Sequence, residues 1–186
     1  MTRIVKNVLD CLLEHEWVYR LLIMIPTLPD DSFWFRVRER CQKLRLKSKG
    51  FGGYLQDTHI RYPHNVSIGD RVTFGGRVLI NGLGEIRIGS DCLIAYGVTI
   101  TTATHDSSAK IMNRSTISDP VKIGNNVWLG VGAIVLPGVS LADGTIVGAG
   151  AVVTKSYSQP DLILLGVPAK PSKTRTVVKQ EQNVDS

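Results

Sequence analysis

Few residues in this chain are suited to chemistry. His105 stands in the run Thr-Ala-Thr-His-Asp, at the root of a polar stretch that carries Lys110, Asn113 and Arg114. A neutral imidazole there could take a proton from a reacting group near pH 7, which most other side chains cannot do unaided. No serine or cysteine nucleophile accompanies it, which disfavours a covalent intermediate. His59, His64 and His105 are enough in number for a metal site. The cysteines Cys11, Cys41 and Cys92 are odd in number and lack metal-ligand spacing, which favours a reduced, cytosolic setting. Cys92 occupies a small interior position and reads as core. Between Arg36 and Lys49 there are seven bases and one acid, so this segment alone equals the +6 of the whole chain. It suggests an anionic neighbour such as a membrane surface, against the plainer reading of a solvated helix face. Nucleic acid is disfavoured, because the rest of the chain interleaves no basic and aromatic residues.

The elements that position these residues fall into two parts. The chain has 186 residues, 43% hydrophobic and 20% charged, enough for one domain with a small appendage. Its longest uncharged apolar run near the start, Leu21 to Pro29, is far short of a bilayer span, and no signal-peptide pattern is evident. Residues 1–50 read as two helices. Val5, Leu9, Leu12, Leu13, Trp17, Leu21 and Met24 form an amphipathic stripe that Pro26 and Pro29 end. A second helix would carry Phe33, Val37, Leu44 and Leu46 among the basic residues. Gly50, Gly52 and Gly53 mark the break.

Beyond the break the chain repeats every six residues. Aliphatics recur at Ile123, Leu129, Val135, Leu141, Val147 and Val153, and upstream at Ile68, Phe74, Ile80 and at Ile88, Ile94, Ile100. A glycine or alanine usually follows at once, and a small or β-branched residue comes four positions on. A period of six matches neither an amphipathic helix nor a coiled coil. It matches a short strand plus a turn, three of which close a triangular coil whose stacked strands pair in parallel. Twelve hexads give four coils, and residues 54–67 add a partial one. Two interruptions break the rhythm: two extra residues at Gly82, Leu83 and Gly84, and a departure over roughly 106–122. An insertion that long in a regular solenoid points to function.

His105 in its setting, with Trp128-Leu129-Gly130, Gly148-Ala149-Gly150, Thr154-Lys155 and Gly166-Val167-Pro168-Ala169-Lys170, resembles the left-handed β-helix (hexapeptide-repeat) acyltransferases. Within them it is most similar to the sugar O-acetyltransferases of the isoleucine-patch group. The resemblance covers about 54–175 and implies a mainly β fold, a left-handed parallel β-helix of four to five coils with a protruding loop. The organisation is then a helical segment 1–53, the repeat domain 54–175 and a polar tail 176–186. It also implies acetyl-CoA as acyl donor, no required metal, a carbohydrate acceptor and a homotrimer, because the family's cofactor tunnel lies between neighbouring subunits. The short basic N-terminus is similar to members serving surface-polysaccharide synthesis.

The resemblance further implies roles. His105 matches the general base. Ala149, Thr154 and Lys155 match positions along the pantetheine arm, Lys170 and Lys173 match basic positions near the phosphates, and Trp128 matches a wall of the thioester tunnel. Some relatives place a serine three residues after that tryptophan; Val131 stands there, so a backbone N–H near Gly130 to Gly132 would serve the oxyanion. Galactoside-acetylating relatives use an asparagine and an aspartate where this chain has Gly75 and Leu83. Asn81 and Glu85 beside the bulge become the acceptor candidates, and Asp106 could orient His105. The expected location is cytoplasmic, with Arg36 to Lys49 as the candidate peripheral contact with the inner membrane face. Rival readings are a non-catalytic scaffold and a metal enzyme like the β-helical carbonic anhydrases, whose order of histidines is reversed here. Serine acetyltransferase is a further alternative, but its helical domain is much larger than 50 residues.

Overall fold

The computed structural model of the protein describes Leu46, Ser48–Lys49 and residues 54–176. Strands only two to nine residues long follow one another with tight turns between them, and three consecutive strands complete one coil. The first face stacks Ser48–Lys49, Val66–Ile68, Ile86–Ile88, Val121–Ile123 and Ser140–Leu141, all parallel. The second stacks the first halves of Tyr54–Arg61 and Thr73–Asn81 with Leu93–Ile94, Trp128–Leu129, Ile146–Val147 and Leu162–Leu165. The third stacks the second halves of those two long strands with Thr99–Thr101, Ile134–Val135 and Val152–Val153. The result is a parallel β-helix of about five coils, closed at its C-terminal end by Lys170–Thr174 running antiparallel to Leu162–Leu165.

The hexad aliphatics explain the shape. Ile68, Ile88, Ile123 and Leu141 are register partners up the first face. Phe74, Ile94, Leu129, Val147 and Leu164 climb the second, and Ile60, Ile80, Ile100, Val135 and Val153 the third. All of them are buried. Each such side chain contributes about 1.5–3 kcal/mol on burial, so the three columns are the main source of stability. Cys92 lies in this core, and burial pushes its thiol pKa up, as suits an unreactive packing residue.

The small residue after most aliphatics of the first two faces lets coils approach closely. A Cβ on Gly89 would stand 2.6 Å from the Gly124 carbonyl oxygen, in contact with the backbone of the next coil. At the corner between first and second faces the turns are joined by side chains: Ser90 N–H donates to Asn125 Oδ1 at 2.9 Å and Asn125 N–H to Asp143 Oδ1 at 2.7 Å.

One expectation is refined and one corrected. The polar insertion expected to protrude over roughly 106–122 does so as a hairpin arm, Ala103–His105 paired antiparallel with Thr116–Ser118. A 3-10 turn at Met112–Arg114 lies near its tip, and the chain has rejoined the core by Val121, which is fully buried. The Thr- and Ile-containing ends of the insertion pair with each other, which its polar composition concealed. The helical reading of residues 1–50 fails at its end: Ser48–Lys49 is a strand pairing with Ser67 and Ile68, and Leu46 is partly buried against the core. The pairing completes the first coil more fully than expected. The two helices themselves, most of Arg36 to Lys49 and the tail beyond 176 lie outside the described residues.

Candidate active site

The corner between the third and first faces carries the arm. Thr102 is the last coil residue before it, and its N–H and Oγ1 each lie 3.0 Å from the Asn81 carbonyl oxygen. Three residues further, the exposed His105 pairs with Thr116 across the hairpin. Its Nδ1 is 2.9 Å from the carbonyl oxygen of Met112. A carbonyl oxygen only accepts, so this contact places the ring proton on Nδ1 and leaves the Nε2 lone pair for a substrate proton. Orientation of His105 therefore comes from the Met112 backbone. Asp106 is engaged elsewhere: its carboxylate accepts from Ser108 N–H at 2.9 Å and Ser108 Oγ at 2.6 Å, and these bonds hold its pKa below the ordinary carboxylate value. The sequence held no signal for the role of Met112, because the group involved is backbone.

Asn81 and Glu85 lie at the same corner, one coil below the arm. The Asn81 Oδ1 is buried and has no hydrogen-bond partner among the described residues. Glu85 pairs with Arg87 at 2.9 Å, and its carbonyl accepts from Val121 N–H.

The residues matched to the acyl donor lie elsewhere. Trp128 projects from the second face, 47% exposed, between Leu93 and Ile146 on the neighbouring coils. Gly130, Gly132 and Ala149 continue into the corner between second and third faces. Gly130 N–H donates to Val147 and Gly132 N–H to Tyr96, at 2.8 and 2.9 Å. The Val131 amide between them donates to no described carbonyl. Leu165 and Gly166 extend this corner and Lys170, the register partner of Leu165, ends it. Trp128, Ala149 and Lys170 thus mark an axial track along successive coils, which stand about 4.8 Å apart. Lys173 pairs with Ile163 on the second face. Thr154 and Lys155 sit one corner away, at the end of the third face, with Lys155 Nζ 5.7 Å from the Tyr157 ring. Tyr157 Oη donates to the Ala169 carbonyl at 2.6 Å, which fastens the turn carrying Lys170 to this corner.

The prism therefore separates what the reaction would need together. In a three-faced coil the second face lies opposite the corner between third and first, so Trp128 and His105 of one chain face opposite ways. Exposed apolar residues flank both regions: Leu93, Tyr96 and Val131 beside Trp128, and Ile111, Met112 and Ile117 on the arm. His59, His64 and His105 are not gathered, and no group of three or more potential metal ligands occurs among the described residues. Among these residues, too, no helix is long and apolar enough to cross a membrane.

This architecture is that of a hexapeptide-repeat transferase. Residues 120–155 match the family of the bacterial transferase hexapeptide (six repeats), and residues 65–102 match the hexapeptide repeat of succinyl-transferase. The chain belongs to the hexapeptide-repeat transferases and resembles, among them, the sugar O-acetyltransferases. It is 33% identical over 135 residues to the galactoside O-acetyltransferase of Escherichia coli (strain K12), covering 72% of this chain and 66% of that protein. It is 34% identical over 88 residues to an Escherichia coli protein provisionally named a colanic acid biosynthesis acetyltransferase, 47% of each chain. The crystal structure of a maltose O-acetyltransferase from Clostridium difficile 630 superposes with a TM-score of 0.72 at 29% identity, covering 89% of both chains. The chain spans about half the length of several curated relatives it matches, such as 47% and 45%.

Proposed function

We propose that the protein transfers an acetyl group from acetyl-CoA to a hydroxyl of a carbohydrate, in the synthesis of a surface polysaccharide. The observation that carries this reading is His105, held through Nδ1 by the Met112 carbonyl with Nε2 open, on the arm of a hexapeptide-repeat prism. In the reaction Nε2 takes the acceptor's hydroxyl proton as the oxygen bonds to the thioester carbonyl carbon. The oxyanion meets the Val131 amide. Its collapse breaks the C–S bond, and the proton on His105 passes to the departing sulfur, giving an acetyl ester and free CoA. The acyl donor lies along the track from Trp128 through Gly130, Gly132 and Ala149, with Thr154, Lys155, Lys170 and Lys173 meeting its polar end. Asn81, Glu85 and Asp106 stand on the acceptor side.

The working form in this reading is a homotrimer. The apolar tip of one arm would cover the apolar strip beside Trp128 of the next copy, bringing His105 of one subunit to the thioester on another. The reading places the enzyme in the cytoplasm, with Arg36 to Lys49 against anionic lipid. Mass-spectrometric detection of a singly acetylated sugar, formed only with acetyl-CoA present, tests the transfer. CoA bound without any acetylated product from free, nucleotide-linked or lipid-linked sugars would refute it.

A further inference from the structure

One cluster on the arm-bearing corner is absorbed by none of the roles above. In the first coil this corner is Arg61, Tyr62, Pro63 and His64. Tyr62 has φ 55° and ψ 55°, the left-handed region that a bulky aromatic rarely occupies. The Asn65 N–H donates to the Tyr62 carbonyl at 3.0 Å, and Pro63 follows at once. In this conformation the ring is exposed between Arg61 and His64. The Arg61 guanidinium stands 5.7 Å from its centroid, and the His64 ring meets it edge-on at 6.3 Å. Arg61 and His64 are exposed as well, and no described carboxylate lies within ion-pair distance of Arg61.

This corner is joined to the catalytic arm through the two extra residues that break the repeat. Gly82 N–H donates to the Arg61 carbonyl at 3.1 Å. Asn65 Nδ2 donates to the Gly82 and Leu83 carbonyls at 3.0 and 3.1 Å. Gly84 N–H then donates to Thr102 Oγ1 at 2.8 Å, at the root of the arm. Three corners form one wall: the Arg61, Tyr62 and His64 cluster, the bulge with the unpartnered Asn81 oxygen, and the root of the hairpin that bears His105. Two coil spacings make the wall about 10 Å long. A hexose ring with a phosphoryl group on its anomeric oxygen spans such a wall, its far hydroxyls toward the arm.

We propose that Arg61, Tyr62 and His64 form a subsite for an acceptor sugar bearing an anomeric phosphate, with the phosphate on Arg61 and His64 and an apolar face of the substrate on Tyr62. Guanidinium binds phosphoryl oxygens through paired, charge-assisted hydrogen bonds, and an exposed aromatic face suits sugar C–H groups. The proposal rests on the carbohydrate-acceptor reading and narrows it to phosphorylated sugars, whether nucleotide-linked or lipid-linked. Both are substrates that free hexoses would imitate poorly.

The test is equilibrium binding to the full chain by calorimetry, with a panel of hexoses each offered free and as its 1-phosphate. At least one 1-phosphate should bind about tenfold more tightly than its free sugar, and Arg61→Gln should erase that advantage while leaving CoA binding and the thermal midpoint unchanged. Tyr62→Asn, which tolerates the left-handed backbone, should weaken both forms of the sugar. Uridine diphosphate and farnesyl diphosphate derivatives of the sugar that binds then distinguish the two sources. The subsite is overturned if no 1-phosphate outbinds its free sugar, or if Arg61→Gln preserves the difference. Arg61-dependent binding without acetyl transfer would keep the subsite and remove the acetyltransferase reading. Transfer to free sugars that neither phosphorylation nor Arg61→Gln alters would do the reverse.

Discussion

The imidazole Nδ1 of His105 lies 2.9 Å from the backbone carbonyl oxygen of Met112, across the hairpin arm. A backbone acceptor cannot ionise, so it fixes the tautomer without adding a charge to the site. Replacing residues 107–114 with a short Gly-Ser turn should remove this support. The expected outcome is a fall of roughly 10²-fold or more in kcat and, because the apolar tip with Ile111 and Met112 goes with it, a weaker trimer by sedimentation.

The coil stacking predicts where the fold is intolerant. Gly89→Ala puts a methyl group against the Gly124 backbone and should destabilise the protein by about 1–3 kcal/mol. Ile100→Ala, at a fully buried position of the third column, should cost about 2–5 kcal/mol. Chemical denaturation of both variants beside the wild type checks the pair.

Assembly has a specific signature. Ile117→Asp on the exposed side of the arm should leave the chain folded but lower its mass in solution from a trimer to smaller species. Activity should fall with it. Sedimentation equilibrium decides the point, and a wild type that is monomeric at micromolar concentration would remove the shared site.

The lysines at the C-terminal end should act on affinity rather than chemistry. Lys155→Ala and Lys170→Ala are each expected to raise KM for acetyl-CoA several-fold, with kcat nearly kept at saturation. The gap between wild type and variant should narrow as salt is added, since exposed charges are screened. A drop in kcat at unchanged KM would place these residues elsewhere.

Much of this was legible in the residues, for a physical reason. The hexad aliphatics from Ile68 to Val153 each occupy one register position in a column, so a one-dimensional period maps directly onto three faces. His105 stood out because it begins the one long departure from that period. What was hidden lies in the backbone and in the third dimension. The hold of Met112 on His105 is a main-chain contact, and the strand at Ser48–Lys49 continues a basic run that reads as helix. The placement of Trp128 and His105 on opposite sides of the prism follows only from closing the triangle. Tyr62 carries no signal in the sequence, because its left-handed conformation has no glycine to announce it.

In the proposed mechanism His105 is the base that deprotonates the acceptor. The measurement is CoA release at saturating acetyl-CoA, for wild type and His105→Ala, with each acceptor the wild type acetylates. The alanine variant should show kcat lower by roughly 10²–10⁴-fold, with acetyl-CoA binding retained. Equal rates of CoA release from the two proteins with every working acceptor would contradict the mechanism.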